Sequence, residues 1–433
     1  MRKIKVLLLG FLNLLICSYL PAQTITRSPY SRYGIGDIID NSIAQSQAMG
    51  GLDQAMRYST WINYNNPASY SAFELTTFQS GVKIGSIEQS TSQIKQKVRT
   101  GYMTSLAFGI PLKRNWAISF GLLPYSSVGY NLSNESTSPI GEQLTYIYKG
   151  NGGLNRVYLG TAINPFSSLS DSSWLKGFSI GTNLSYLFGN LNYERRVIFT
   201  NASTNYYYNT LDVKVYDLND YYLDYGLQYK TKLSKKWLMI VGATFTPQKN
   251  IKGNYSGLTQ NFYSSNDFDY GRDTVNLFDN VSGKTVLPAR MGAGLMLSYS
   301  DKLALGFDYK TQDWSKYEAF GVKDSLKRSN SFSLGAQYIP NPASGRGFWQ
   351  HMQYRAGINF VQTNLEIRGT QLSQQSVNLG AGIPIIKSLS TLNISLQYGT
   401  RGKVENNLMK EKFYLINVGL SFNDKWFIKR KFD

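Results

Sequence analysis

Apolar and polar residues alternate along much of this 433-residue chain. Leu392, Ile394, Leu396 and Tyr398 interleave with Asn393, Ser395, Gln397 and Gly399. Tyr414, Ile416, Val418, Leu420 and Phe422 interleave with Leu415, Asn417, Gly419 and Ser421, with Leu415 the exception. The same period of two runs through 178–188 and 303–310. Successive side chains of a strand point to opposite faces, so each run predicts a strand with one apolar and one small or polar face. Fourteen segments can be drawn, at 72–88, 98–111, 116–131, 154–164, 177–190, 213–233, 237–251, 285–300, 302–314, 327–339, 351–365, 374–386, 391–400 and 411–422. Connections such as 112–115 and 234–236 are short, whereas 132–153, 193–211 and 252–284 are long and polar. The even count and this asymmetry predict an all-β chain, a 14-stranded antiparallel transmembrane β-barrel with short periplasmic turns and long outer loops. A soluble β-sandwich is the competing reading, because alternation alone does not separate lipid from a second sheet.

The small residues fall on one side. Gly109, Gly121, Gly160, Gly181, Gly242, Gly306, Gly335, Gly357, Gly399 and Gly419 all take the polar face, which suits a crowded lumen. Residues 23–71 do not alternate, yet they are too long and too aromatic, with Tyr30, Tyr33, Trp61 and Tyr64, for a solvated linker. They are expected to fold back as an N-terminal hatch that plugs the lumen, with 72–433 forming the barrel and a short basic tail at 429–431.

Composition agrees with a barrel. Charged residues are 17%, below the roughly 25% of soluble domains, and aromatics reach 14% with 32 Tyr. The one long apolar run, 6–20, follows Arg2, Lys3 and Lys5 and precedes Pro21-Ala22, so 1–22 reads as a signal peptide. An exported, integral outer-membrane location follows. The one Cys, Cys17, lies in that run, and there is one His, His351; no disulfide framework, zinc site or cofactor is expected. The formal charge of +18 is spread singly over loops and strand ends, so it points to anionic lipid headgroups rather than nucleic acid. The aromatic end of the last strand fits insertion by the outer-membrane assembly machinery.

Several stretches carry a resemblance: Ser28-Pro-Tyr-Ser-Arg-Tyr-Gly-Ile-Gly-Asp37, Ala48-Met-Gly-Gly51, Asn66-Pro-Ala68, Gly121-Leu-Leu-Pro-Tyr-Ser-Ser-Val-Gly-Tyr130, Leu287-Pro-Ala-Arg290, Asp308-Tyr309 and Gln312-Asp-Trp314. Together they resemble the FadL/TodX family of outer-membrane hydrophobic-compound transporters, in its Bacteroidota-type branch, over most of the chain. The resemblance implies a 14-stranded barrel with an N-terminal hatch, passive uptake of a hydrophobic, fatty-acid-like small molecule, and lateral exit through a wall gap at a kinked strand. Some similar barrels act instead as accessory subunits of outer-membrane protein-export or assembly complexes.

Candidate residues follow. Pro124 interrupts the third strand and lacks a ladder N–H, and Gly121 and Gly129 flank it; the three form a lateral gate or an ordinary rim bulge. Alternation places Arg156, Arg290, Asp308, Lys310 and Arg355 in the lumen, where they bind a ligand carboxylate or pair with the hatch and with one another. Asn66, Pro67 and Ala68 fix a turn where the hatch meets the wall, or serve as its hinge. No catalytic or metal residue is expected. His351 has no Gly-x-Ser-x-Gly partner and reads as interfacial at the start of a strand. Asp267, Asp269 and Asp273 sit in one expected loop without EF-hand spacing.

Overall fold

A computed structural model describes residues 26–139, 141–170, 173–199, 207–265, 268–342, 347–385, 388–405 and 408–426. The expected signal peptide with Cys17, Asp267 and the basic run 429–431 lie outside these residues.

Fourteen wall strands follow in chain order: β1 (Thr76–Ser90), β2 (Lys95–Lys113), β3 (Trp116–Thr137), β4 (Gln143–Ile163), β5 (Phe178–Phe199), β6 (Asn209–Lys232), β7 (Trp237–Thr246, continued by Lys249–Ser265), β8 (Phe268–Leu287, continued by Arg290–Tyr299), β9 (Leu303–Asp313), β10 (Arg328–Tyr338), β11 (Gln353–Ile367), β12 (Thr370–Pro384), β13 (Thr391–Arg401) and β14 (Lys410–Asp424). Each pairs antiparallel with the next, and β14 returns to β1 from Asp424↔Thr76 to Lys410↔Ser90, which closes the barrel. Pro247 and Pro288 interrupt β7 and β8 at the same height, each lacking the N–H that a ladder needs. Among the described residues no helix is long and apolar enough to cross a membrane; strands make the crossing.

The alternation becomes an outward apolar belt. Ile84, Ile416, Leu396 and Leu379 align as one exposed row across β1, β14, β13 and β12. Their neighbours Asn417, Ser395 and Asn393 point inward and are buried. A face so apolar and so exposed is stable only against lipid, and the protein is an outer-membrane β-barrel.

The long polar connections expected at 132–153, 193–211 and 252–284 are mostly strand instead. Strands β3 to β8 extend through them and rise as a crest beyond the short strands β9 to β14. Within this crest 268–282 is exposed throughout, so water on both faces leaves no alternation there. Asp269 and Asp273 accordingly lie on β8, where Asp269 accepts from Arg196 at 2.5 Å and Ser264 at 2.7 Å. His351 ends a short helix, Phe348–His351, before β11 begins.

Candidate functional site

The N-terminal residues 26–75 run around the inside of the wall. A Cβ at Gly419 would meet Ala44, at Gly380 Ala48, at Gly335 and Gly357 Met49, at Gly306 Leu52, at Gly242 and Gly292 Gln54, at Gly226 Asn66, at Gly181 Pro67, at Gly160 Tyr70 and at Gly109 Phe73. The segment thus circles the lumen from β14 back to β2 in chain order, and wall glycines let its backbone lie flat against the strands. Gly121 and Gly399 are different: they face Leu106 and Tyr158, and Phe413.

Two packed layers result. Met49, Leu52, Ile62, Tyr64 and Tyr70 pack against Ala107, Tyr158, Ile240 and Met296. Toward the crest, Tyr30 and Ile35 pack with Val128, Leu154, Leu187, Ile251, Trp314, Leu326 and Leu372. Between the layers lies a cavity of about 290 Å³, lined by Asp37, Asp53, Gln54, Arg290, Lys310, Gln312, Asn359, Gln397 and Arg401 among others.

Buried charges tie the segment and wall together. Asp308 accepts the backbone N–H groups of Asp53 and Gln54 at 2.6 and 2.9 Å. Lys310 donates to Asp53 at 2.6 Å and to the Gly51 carbonyl at 3.1 Å. Arg156, 2% exposed, donates to Asp224 at 3.2 Å and to Tyr222 at 3.0 Å. Arg290 reaches the other oxygen of Asp224, also at 3.2 Å, and Thr246 donates to it at 2.5 Å. Arg355 has amide partners, Gln337 at 2.8 Å, Asn393 at 3.0 Å and Gln353, and its guanidinium lies 4.8 Å from the Trp61 ring centre. The five lumen residues singled out in sequence therefore divide into three groups: Asp308 with Lys310, Arg156 with Arg290, and Arg355 alone.

A fourth cluster escaped the sequence reading. Arg401 holds Asp37 at 2.9 Å and Glu411 at 2.6 Å, while Tyr30 receives the Met409 N–H at 3.0 Å. Asp224 and Asp53 are single carboxylates with no motif around them, and the 28–37 stretch that Asp37 ends gives no hint of its partner. Their partners lie tens to hundreds of residues away, so no local signal marks them.

The wall is not zipped throughout. β2 pairs with β3 only between Leu106↔Leu122 and Lys113↔Trp116. Above Leu122 the ladder of β3 shifts register at Pro124/Ser126, and its free edge is taken up by Asp37 and Ile38, opposite Ser127 and Ser126. Gly129 meets the N-terminal segment through its N–H, which Ser31 accepts at 3.0 Å. Asn66 caps the 3₁₀ turn Pro67–Ala72, accepting the Ala68 N–H at 3.2 Å and donating to the Gln54 carbonyl at 2.6 Å. All three residues of the Asn-Pro-Ala motif are buried against β5 and β6, several residues before the chain enters β1. Among the described residues no group of three His, Cys, Asp or Glu side chains could hold a metal ion.

With this geometry in place, comparison places the chain. The BamG family profile matches residues 1–433. The chain belongs to the BamG family. Solved structures agree on the architecture of this BamG-family barrel. The CymD monoaromatic hydrocarbon channel is 16% identical, covering 92% of this chain and 99% of its own, with a TM-score of 0.51. The toluene transporter TodX of Pseudomonas putida is 15% identical, covering 90% and 99%, with a TM-score of 0.55. A FadL homologue of Pseudomonas aeruginosa is 10% identical, covering 90% and 99%, also with a TM-score of 0.55. At these identities the likeness is one of fold: the chain has the architecture of outer-membrane hydrophobic-compound channels, and these neighbours are channels rather than enzymes. Comparison with curated proteins finds no match.

Proposed function

We propose that this barrel is an accessory, structural subunit of a multi-protein outer-membrane complex for protein export or assembly. The supporting observation is the lumen. Its cavity is only partly enclosed, lies between the two packed layers, and is lined by Asp, Asn, Gln, Arg and Lys side chains together with Ile38, Ile39, Met291, Trp314 and Leu365. An apolar guest gains about 0.8 kcal/mol per buried CH₂, but here it would strip partners from buried polar groups at roughly 1–3 kcal/mol each. Segment 26–75 then acts as a hatch that fixes the barrel's shape. BamG-family membership supports a connection with the assembly machinery.

One observation favours a second reading, passive passage of a hydrophobic, fatty-acid-like molecule with lateral exit. That observation is the unzipped seam above Leu122, where Pro124 and Gly129 would form the gate, with Gly121, still paired with Ala107, just below it. In that case Arg290, which faces the cavity, is placed to meet a carboxylate. Asn66, Pro67 and Ala68 would stay fixed in either reading, since they are pinned on both sides.

Gentle extraction followed by native mass spectrometry tests the proposal. Co-purified subunits at fixed stoichiometry are expected. A free barrel carrying one bound fatty acid would overturn it in favour of the second reading.

A further inference from the structure

The cations that look scattered in sequence gather on one sector of the outer wall. In register, Arg99, Ser86, Tyr414, Tyr398 and Val377 form one outward row across β2, β1, β14, β13 and β12. One step toward the crest, the next row begins Lys97, Glu88, Lys412, and the one after it Lys95, Ser90, Lys410. Five cations therefore stand around a single carboxylate. Glu88 engages Lys95 at 3.1 Å and Lys412 at 3.9 Å. Lys97 and Arg99 are exposed, with no ion pair among the described residues.

Directly beneath these rows the wall is greasy and indented. Ile84, Ile416, Leu396, Leu379, Val377, Tyr398 and Tyr414 line an outward groove of about 1180 Å³ whose rim is Lys97 and Arg99. Ser86 and Gly101, both small, are part of its lining. The two tyrosine rings lie 5.1 Å apart, tilted by 40°, at the boundary between the apolar and basic rows, the level at which aromatic residues mark a membrane interface. The wall begins and ends at the opposite end, at Thr76 and Asp424, as the periplasmic termini of an even-stranded barrel do, and β3 to β8 extend past the membrane at this end, so this boundary belongs to the outer leaflet.

We propose that this sector binds a phosphorylated, multiply acylated glycolipid of the outer leaflet. The acyl chains lie in the groove, and Arg99 and Lys97 hold the phosphate, Arg99 by paired N–H donors. Charge complementarity selects this occupant. A zwitterionic lipid would leave the free cations uncompensated, and inorganic phosphate would leave the groove unfilled. The site adjoins the seam strand β2 and is independent of what the lumen does.

The test uses the full barrel in detergent, native mass spectrometry, and bisphosphorylated lipid A as probe, with phosphatidylethanolamine and inorganic phosphate as competitors. The wild type retains lipid A, and neither competitor removes it. K97Q/R99Q, which removes charge, and Ser86→Trp, which fills the groove, each lower the adduct at least tenfold. Both variants change lipid-facing positions, and heat-modifiable migration on gels verifies that they fold. Lipid A retained equally by the folded variants, no adduct on the wild type, or displacement by inorganic phosphate would each overturn the proposal.

Discussion

The carboxylate of Asp308 accepts the backbone N–H of Asp53 at 2.6 Å. A wall strand thereby grips the N-terminal segment by its main chain, and Gln54 adds a second N–H to the same oxygen. Asp308→Ala leaves both donors buried and unpaired, at roughly 1–3 kcal/mol each. The urea midpoint of the barrel should fall accordingly, and Asp308→Asn, which keeps an acceptor oxygen, should lose less. Midpoints equal to wild type in both variants would refute the grip.

Arg156 and Arg290 share Asp224, and the three behave as one unit. Removing Arg156 alone strands a buried carboxylate with one half-exposed partner. Breaking a buried pair from one side costs roughly 3–5 kcal/mol, whereas removing both partners costs less. A double-mutant cycle on Arg156→Met and Asp224→Leu should therefore show the double variant more stable than the sum of the singles predicts. Additive losses would mean that the pair is not coupled.

Gly242 and Ala243 are neighbours with opposite duties. A side chain at Gly242 would overlap the Gln54 carbonyl, whereas Ala243 faces lipid. Gly242→Val should push residues 54–55 off the wall and expose the N-terminal segment to protease, while Ala243→Val should change nothing measurable. Equal protease resistance in the two variants would show that the close approach is not needed.

Ile38 and Ser126 are directly opposed across the seam. Opposed antiparallel residues have Cα atoms about 4.5–5.5 Å apart, within disulfide range. The chain's one cysteine, Cys17, lies in the expected leader, so introduced thiols have no competitor. I38C/S126C should cross-link under mild oxidation, and on the accessory reading the locked barrel stays in its complex. If the seam passes cargo, the cross-link stops uptake and reductant restores it. Absence of a cross-link would place the N-terminal segment elsewhere.

Much of this molecule was legible in its residues one after another. The period of two located all fourteen strands, because lipid outside and packing inside impose opposite chemistry on alternate side chains. The inner-face glycines announced close packing inside the wall, and Pro124 marks the place where the ladder between β3 and β4 shifts register. Tertiary structure alone decided the rest. On the crest, 268–282 left no alternation, since both its faces are exposed. The pairing of Asp308 with the Asp53 amide, of Arg156 with Asp224, and of Arg401 with Asp37 depends on closure of the barrel around its own N-terminus. The gathering of Lys97, Arg99, Lys410 and Lys412 depends on β14 returning to β1, a contact between the two ends of the barrel wall that no local pattern encodes.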